Sequence, residues 1–207
     1  MSTLPKSLLW VRIDTAGVEH TLLDDRRGLY ARGTAQAATP VPYTCRYELR
    51  TDDTWGSVQL DVTVEGAGWL RMVRLERAAG WRVTTSEQGD LDAALAEVGL
   101  PAAGLPGIDD PTRLGDAMDV DLGSSPLTNT LPVRRLGLQD AEPGTTRQLD
   151  VVWVLVPSLT VVPASQSYTT LEGGNVRYAS EGFSADLQLD ADGYVIKYPG
   201  LAERTQR

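Results

Sequence analysis

Residues 57–64 read SVQLDVTV. Val58, Leu60, Val62 and Val64 alternate with Ser57, Gln59, Asp61 and Thr63. That period of two is the signature of a strand with one buried face. The pattern extends in both directions. Upstream, residues 43–51 place Cys45, Tyr47 and Leu49 opposite Arg46, Glu48 and Arg50. Downstream, residues 69–77 follow an EGAG turn, and residues 81–85 follow Ala79 and Gly80. Connections this short join antiparallel neighbours, because parallel strands need long crossovers. Residues 7–13, 18–23 and 29–37 add three more strands at the N-terminal side.

Beyond residue 147 the pattern resumes. Strands are expected at 148–156, 159–162, 167–171, 175–180, 183–189 and 194–198. Val151–Val156 is apolar at every position, so this strand should be buried on both faces. Counted generously, about fifteen short strands have the turn spacing of barrels and sandwiches. The expected fold is therefore all-β: one long antiparallel sheet in a single domain spanning 1–207. One stretch breaks the rule. In residues 88–116, Leu91–Val98 has helical spacing with a cap at Asp90, and a loop rich in glycine and proline follows. This excursion reads either as a lid over a pocket or as a plain surface insertion. The tail after Leu201 is expected to fray.

Composition narrows the function. The net charge is −9, which argues against non-specific binding to nucleic acid or to an anionic membrane surface. Hydrophobic residues make up 42 %, low enough to suggest a hollow or two-sided sheet. Cys45 is the only cysteine and excludes an intramolecular disulfide. The apolar run Leu8–Val11 ends at Arg12, too short for a signal peptide, and no run approaches membrane-spanning length. These features predict a soluble cytoplasmic protein without an integral membrane segment. Of the 19 basic residues only Lys6 and Lys197 are lysines. This bias fits either codon usage or recognition of anionic or sugar groups by guanidinium.

The least ordinary stretch is MDVDLGSSPLTNTLPVRRLGL, residues 118–138. Asp119 and Asp121 are two apart, so in a strand they share a face with Cα atoms roughly 6.5–7 Å apart. Three readings stand side by side. The pair can accept hydrogen bonds from turn amides, arginine or a ligand. It can act as general acid and base, near the about 6.5–9.5 Å carboxyl spacing of inverting glycosidases. It can hold a hard cation with Asn129. Arg134 and Arg135 are adjacent, so in a strand they face opposite sides, and at most one enters a shared cavity. Thr128 and Asn129 suit sugar hydroxyls as well as turns. Tyr47, Trp69, Tyr168, Tyr178 and Tyr198 suit a pocket wall as well as a core. His20 is the lone histidine, and no serine lies in a nucleophile-elbow pattern. No cofactor motif is present, and no metal site is expected.

The same stretch carries a family resemblance. Asp119-Val120-Asp121-Leu122-Gly123 followed by Ser125-Pro126, Thr128-Asn129-Thr130-Leu131-Pro132-Val133 and Arg134-Arg135-Leu136 resembles the bacterial glycolipid-binding family, formerly a domain of unknown function. Trp10–Asp14, Gly17, Glu19, Tyr47, Trp55, Phe183–Leu187 and Asp192–Leu201 support the match, which covers nearly the whole chain except about 88–116. The resemblance implies a sheet rolled into a barrel-like body, similar to lipoprotein carriers, and a glycolipid or lipid-like ligand. On this basis the chain is expected to be a non-enzymatic binder. Its ligand would lie in the barrel interior, gripped by Asp119, Asp121, Thr128, Asn129, Arg134 or Arg135, with Tyr47 and Tyr198 as walls. The alternative is a hydrolase of sugar, ester or phosphate substrates using Asp119 and Asp121.

Overall fold

The computed structural model describes residues 6–205. Seven strands form an N-terminal meander: β1 (Lys6–Arg12), β2 (Gly17–Asp24), β3 (Tyr30–Ala37), β4 (Tyr43–Thr51), β5 (Ser57–Gly66), β6 (Trp69–Arg77) and β7 (Trp81–Gly89). Helix α1 (Leu91–Glu97) and a loop lead to β8 (Asp119–Leu122). A helical turn, Pro126–Asn129, runs into α2 (Thr130–Arg135). The chain ends in β9 (Thr146–Val154), β10 (Val161–Thr170), β11 (Val176–Ser180), β12 (Phe183–Leu189), β13 (Val195–Tyr198) and β14 (Ala202–Arg204).

These strands make one 14-stranded sheet, ordered β7-β6-β5-β4-β3-β2-β1-β14-β13-β12-β11-β10-β9-β8. Every pairing is antiparallel except β8 with β9. The alternation that defines each strand is the alternation of burial. On β4, Tyr43, Cys45, Tyr47 and Leu49 are buried, and Arg46 and Arg50 are exposed. The sheet is curled rather than closed. Its far end returns to the meander through Ser57 N–H donating to Met118 O (2.8 Å) and Trp81 Nε1 to Ala117 O (2.9 Å), while Gly107 N–H in the loop after α1 donates to Leu159 O (2.8 Å). The buried Arg71 guanidinium on β6 donates to Glu87 and to Ser158 O at 3.0 Å. A buried guanidinium is tolerable only with partners of this kind.

Three expectations change. Residues 159–171 are not two strands but the single β10, apart from the turn before it. The tail does not fray at 202–204: β14 pairs with β1 on one side and β13 on the other, and Ala202 is fully buried. Residues 206–207 lie outside the described residues. Residues 126–135, where strand geometry is one reading for Arg134 and Arg135 and a turn one for Thr128 and Asn129, form a helical plug. Pro126 sits in the first turn, where its fixed φ suits a helix, and Leu127 and Leu131, four apart, fall on one helical face. Both are fully buried in the first core cluster with Trp10 and Tyr47. The concave face of the meander is therefore filled by the chain's own side chains and is not hollow.

Helix α1 forms as the spacing predicts, with the Asp90 carboxylate accepting from Ala93 N–H. It buries Leu91 and Leu95 against the same first core.

Because β14 is the joint between the two halves of the sheet, ending the chain after Leu201 should destabilise it by more than the about 0.5–3 kcal/mol of an ordinary point substitution. Urea unfolding followed by circular dichroism tests this; an unchanged midpoint would show β14 to be dispensable.

Candidate functional site

A cleft of about 770 Å³ opens between the plug and strands β9–β13. Its floor is the corner that follows β8. Gly123 N–H donates to Val154 O at 2.8 Å, and a Cβ at this glycine would come within 3.1 Å of that same oxygen. Ser124 then takes φ of 67°, a left-handed conformation uncommon for serine. The corner turns Ser125 inward. One wall is aromatic. Tyr178 lies 6.1 Å from both Phe183 and Tyr198, and Phe183 lies 6.4 Å from Tyr198, centroid to centroid. Trp153 and Pro163 extend the apolar lining. The site sits where two core clusters meet, with Leu122 belonging to the first and Tyr178 and Tyr198 to the second.

Asp121 lines this cleft. Its Oδ1 accepts from Thr128 Oγ1 at 2.9 Å and its Oδ2 from Gln166 Nε2 at 2.6 Å. Asn129 lines it too and accepts the Tyr168 hydroxyl at 3.0 Å. Asp119 does not join them. It is fully buried, and Arg135 grips both its oxygens, the closest contact being 2.5 Å. Burial raises the carboxyl of Asp119 above its ordinary range despite the guanidinium. Burial also raises Asp121, where Gln166 and Thr128 oppose the shift and the Asp119 charge adds to it.

The arginines depart from the expected geometry for the reason given above: they stand on a helix, not a strand. Arg135 is committed to Asp119. Arg134 donates to Asp192 O at 2.6 Å and lies 4.4 Å over the Trp55 ring. Neither lines the cleft. Tyr47 and Trp69 are core residues of the meander. Of the residues expected to bind ligand, the structure brings Asp121, Asn129 and Tyr198 to one cleft, with Thr128 behind Asp121. The 88–116 segment does not contribute to this lining.

Behind the corner lies a second polar cluster. Glu19 on β2 is buried, and its Oε1 accepts from Ser125 Oγ at 2.7 Å and from the Tyr47 hydroxyl. Thr21 Oγ1 shares that hydroxyl. The Tyr47 ring reaches Glu19 by lying across Gly33, where a Cβ would fall 2.0 Å from it. Glu19 Oε2 has no partner among the described residues. Burial pushes its carboxyl up to about 7, against the pull of Tyr47, Ser125 and the Arg12 charge. The signal for Glu19 was in the sequence: it alternates with Thr21 and Leu23 on the buried face of β2. Trp153, Gln166 and Phe183 carried no comparable mark.

Together these features define the class: an all-β protein whose curled sheet carries an amphipathic cleft beside a buried helical plug. Residues 7–204 match the family model described as "Putative glycolipid-binding", and the chain belongs to that family. It is also similar to a crystal structure of a DUF1089 family protein from Pseudomonas aeruginosa, with 26% identity and a TM-score of 0.69 over 90% of this chain and 92% of that one. No curated protein matches. Among the described residues, no helix is long and apolar enough to cross a membrane.

Two outcomes follow from the buried acids. Arg135→Ala strands the Asp119 carboxylate and should cost about 3–5 kcal/mol, measured by denaturant unfolding. For Glu19, the folded group holds its proton up to about pH 7 while the unfolded one releases it near 4.5. Stability contributed by this group is thus full below about pH 4.5 and is lost as pH rises to about 7, by about 3 kcal/mol in all. Glu19→Gln should remove that decline, so the difference between the two unfolding curves should grow from pH 5 to pH 7.5 in favour of the variant. Parallel pH profiles would refute the assignment.

Proposed function

We propose that the protein is a non-enzymatic binder of a glycolipid or another lipid-like amphipathic ligand, held in the cleft between the plug and strands β9–β13. The observation that carries this reading is one cleft with an aromatic wall of Tyr178, Phe183 and Tyr198 and a polar end at Asp121 and Asn129. A volume of about 770 Å³ falls within the about 300–1,000 Å³ of sites that enclose a small ligand. The family's own description supports the same class of ligand. This moves the ligand from the enclosed barrel centre to the seam between the two cores.

The geometry does not favour hydrolysis by the aspartate pair. A general acid or base must come within hydrogen-bond reach of the reacting group. Asp119 is instead occupied by Arg135, which leaves Asp121 as the single member of the pair in the cleft.

Organic extraction of the purified protein followed by lipid mass spectrometry tests the reading. The wild-type chain should release a defined amphiphile. Phe183→Ala, at a half-exposed rim position, should weaken retention by about tenfold, the effect of losing roughly 50 Å² of apolar contact. A protein that emerges empty and takes up no alkyl-chain amphiphile refutes it.

A further inference from the structure

We propose that the head group taken by this cleft is an uncharged polyol, and that Asp121 is the residue that selects it against phosphate, sulfate and carboxylate head groups. This rests on the ligand-binding reading above and goes further, since glycolipids as a chemical class include both neutral and anionic kinds.

The argument starts from the partners of Asp121. Both are neutral: a threonine hydroxyl and a glutamine amide. Among the described residues no lysine or arginine forms an ion pair with it. When it is ionised, no cation beside it cancels its charge inside the site. Each oxygen takes one bond from the protein and keeps a second acceptor position, and the residue faces the cleft. Glu181, at the turn between β11 and β12, adds a second carboxylate to the lining. The described lining residues include no lysine, arginine or histidine. The Arg134 and Arg135 guanidinium groups, the natural grips for a phosphate, are turned to Asp192 O and to Asp119.

An anionic head group would meet two like charges with no compensating cation. At about 4 Å and the effective dielectric of a site near the surface, that repulsion exceeds a tenfold penalty in binding. A hydroxyl meets the opposite situation. It donates to Asp121 and accepts from a neighbouring donor. Asn129 supplies one, because its carbonyl oxygen already takes the Tyr168 hydroxyl, which leaves the amide N–H groups to donate. Vicinal hydroxyls on a ring present donors and acceptors side by side, which suits this mixed end. The apolar faces of such a ring, or a single alkyl chain, suit the Tyr178, Phe183 and Tyr198 wall.

The test compares n-dodecyl glucoside with n-dodecyl phosphate, below their micellar concentrations, on the full chain. Binding is read by calorimetry and by the fluorescence of Trp153 in the cleft wall. The glucoside should bind at least tenfold more tightly than the phosphate. Asp121→Asn should bring that ratio below threefold, mainly by improving the phosphate. Ser180→Arg, which lies outside the bonds of Asp121 to Thr128 and Gln166, should raise phosphate affinity at least fivefold and serves if D121N does not fold. Equal affinities in the wild type, or a ratio unmoved by both variants, would overturn the head-group assignment while leaving the amphipathic cleft in place. Failure of both amphiphiles to bind would overturn the two readings together.

Discussion

The hydrogen bonds of β14 hold this structure together. Three residues, Ala202–Arg204, pair with β1 on one side and β13 on the other, and they are the joint between the N-terminal meander and the C-terminal strands. The joint is reinforced around it. Trp10 donates its indole N–H to Val195 O at 2.9 Å, Ile13 N–H reaches Leu201 O, and Thr205 N–H reaches Leu9 O. A sheet of fourteen strands does not stay flat, since each pair adds right-handed twist. Joined at β14, the two halves curl toward each other, and β8 arrives beside the start of β5. The residues just before the joint, Tyr198–Leu201, line the cleft, so the site and the joint are built from the same turn.

The curl leaves a concavity that has to be filled, and the plug fills it. Three carboxylates tie the plug to strands. Glu19 on β2 takes Ser125, Asp121 on β8 takes Thr128, and Asp119 on β8 takes Arg135. Each bond runs from a side chain to a different turn of the plug, so its position is fixed along its length. Leu127 and Leu131 supply the apolar burial; the carboxylates supply the register. A buried ion pair adds little net stability over apolar packing, but an acid with a partner in one geometry only discriminates between seatings that apolar contacts would tolerate alike. This accounts for so much charge in residues 118–138 without requiring that it take part in chemistry.

Legibility followed the physics of each element. The strands from Ser57–Gly66 outward were readable because burial there follows a period of two with little interruption. The family could be identified from residues 119–136 because that stretch is long and its residue types are unusual in combination. The plug was misread because a segment of ten residues that is buried nearly all round shows no clean period. Leu127 and Leu131 at helical spacing, after Pro126, were the only cue. The strand geometry given to Arg134 and Arg135 failed with it, although only one of them faces the aspartates: Arg135 pairs with Asp119 and Arg134 turns to Asp192 O. Strand β14 was missed because three residues near a terminus carry no periodic signal at all. Its strength comes from pairing on both sides, which is a property of the fold.

The cleft itself is encoded as missing side-chain volume. The plug and the large residues Trp10, Tyr47 and Arg71 fill the concave side of the meander. Around the cleft the chain instead places Gly123, Ser124, Ala164, Ser165, Ser180 and Gly200. Close packing penalises such a gap, and any larger apolar residue at one of these positions would fill it and gain burial. Rigid aromatic rings share the lining with these small residues, held by each other and by Tyr168, which packs edge-on against Tyr178 at 5.5 Å. Stiff rings that hold one another in place keep the space beside the small side chains from closing. The cleft is thus maintained by the fold, with its polar end defined by a carboxylate that the plug needs for its own seating. The plug's register rests partly on Asp121, whose two oxygens each keep a second acceptor position beside the bond they take from Thr128 or Gln166.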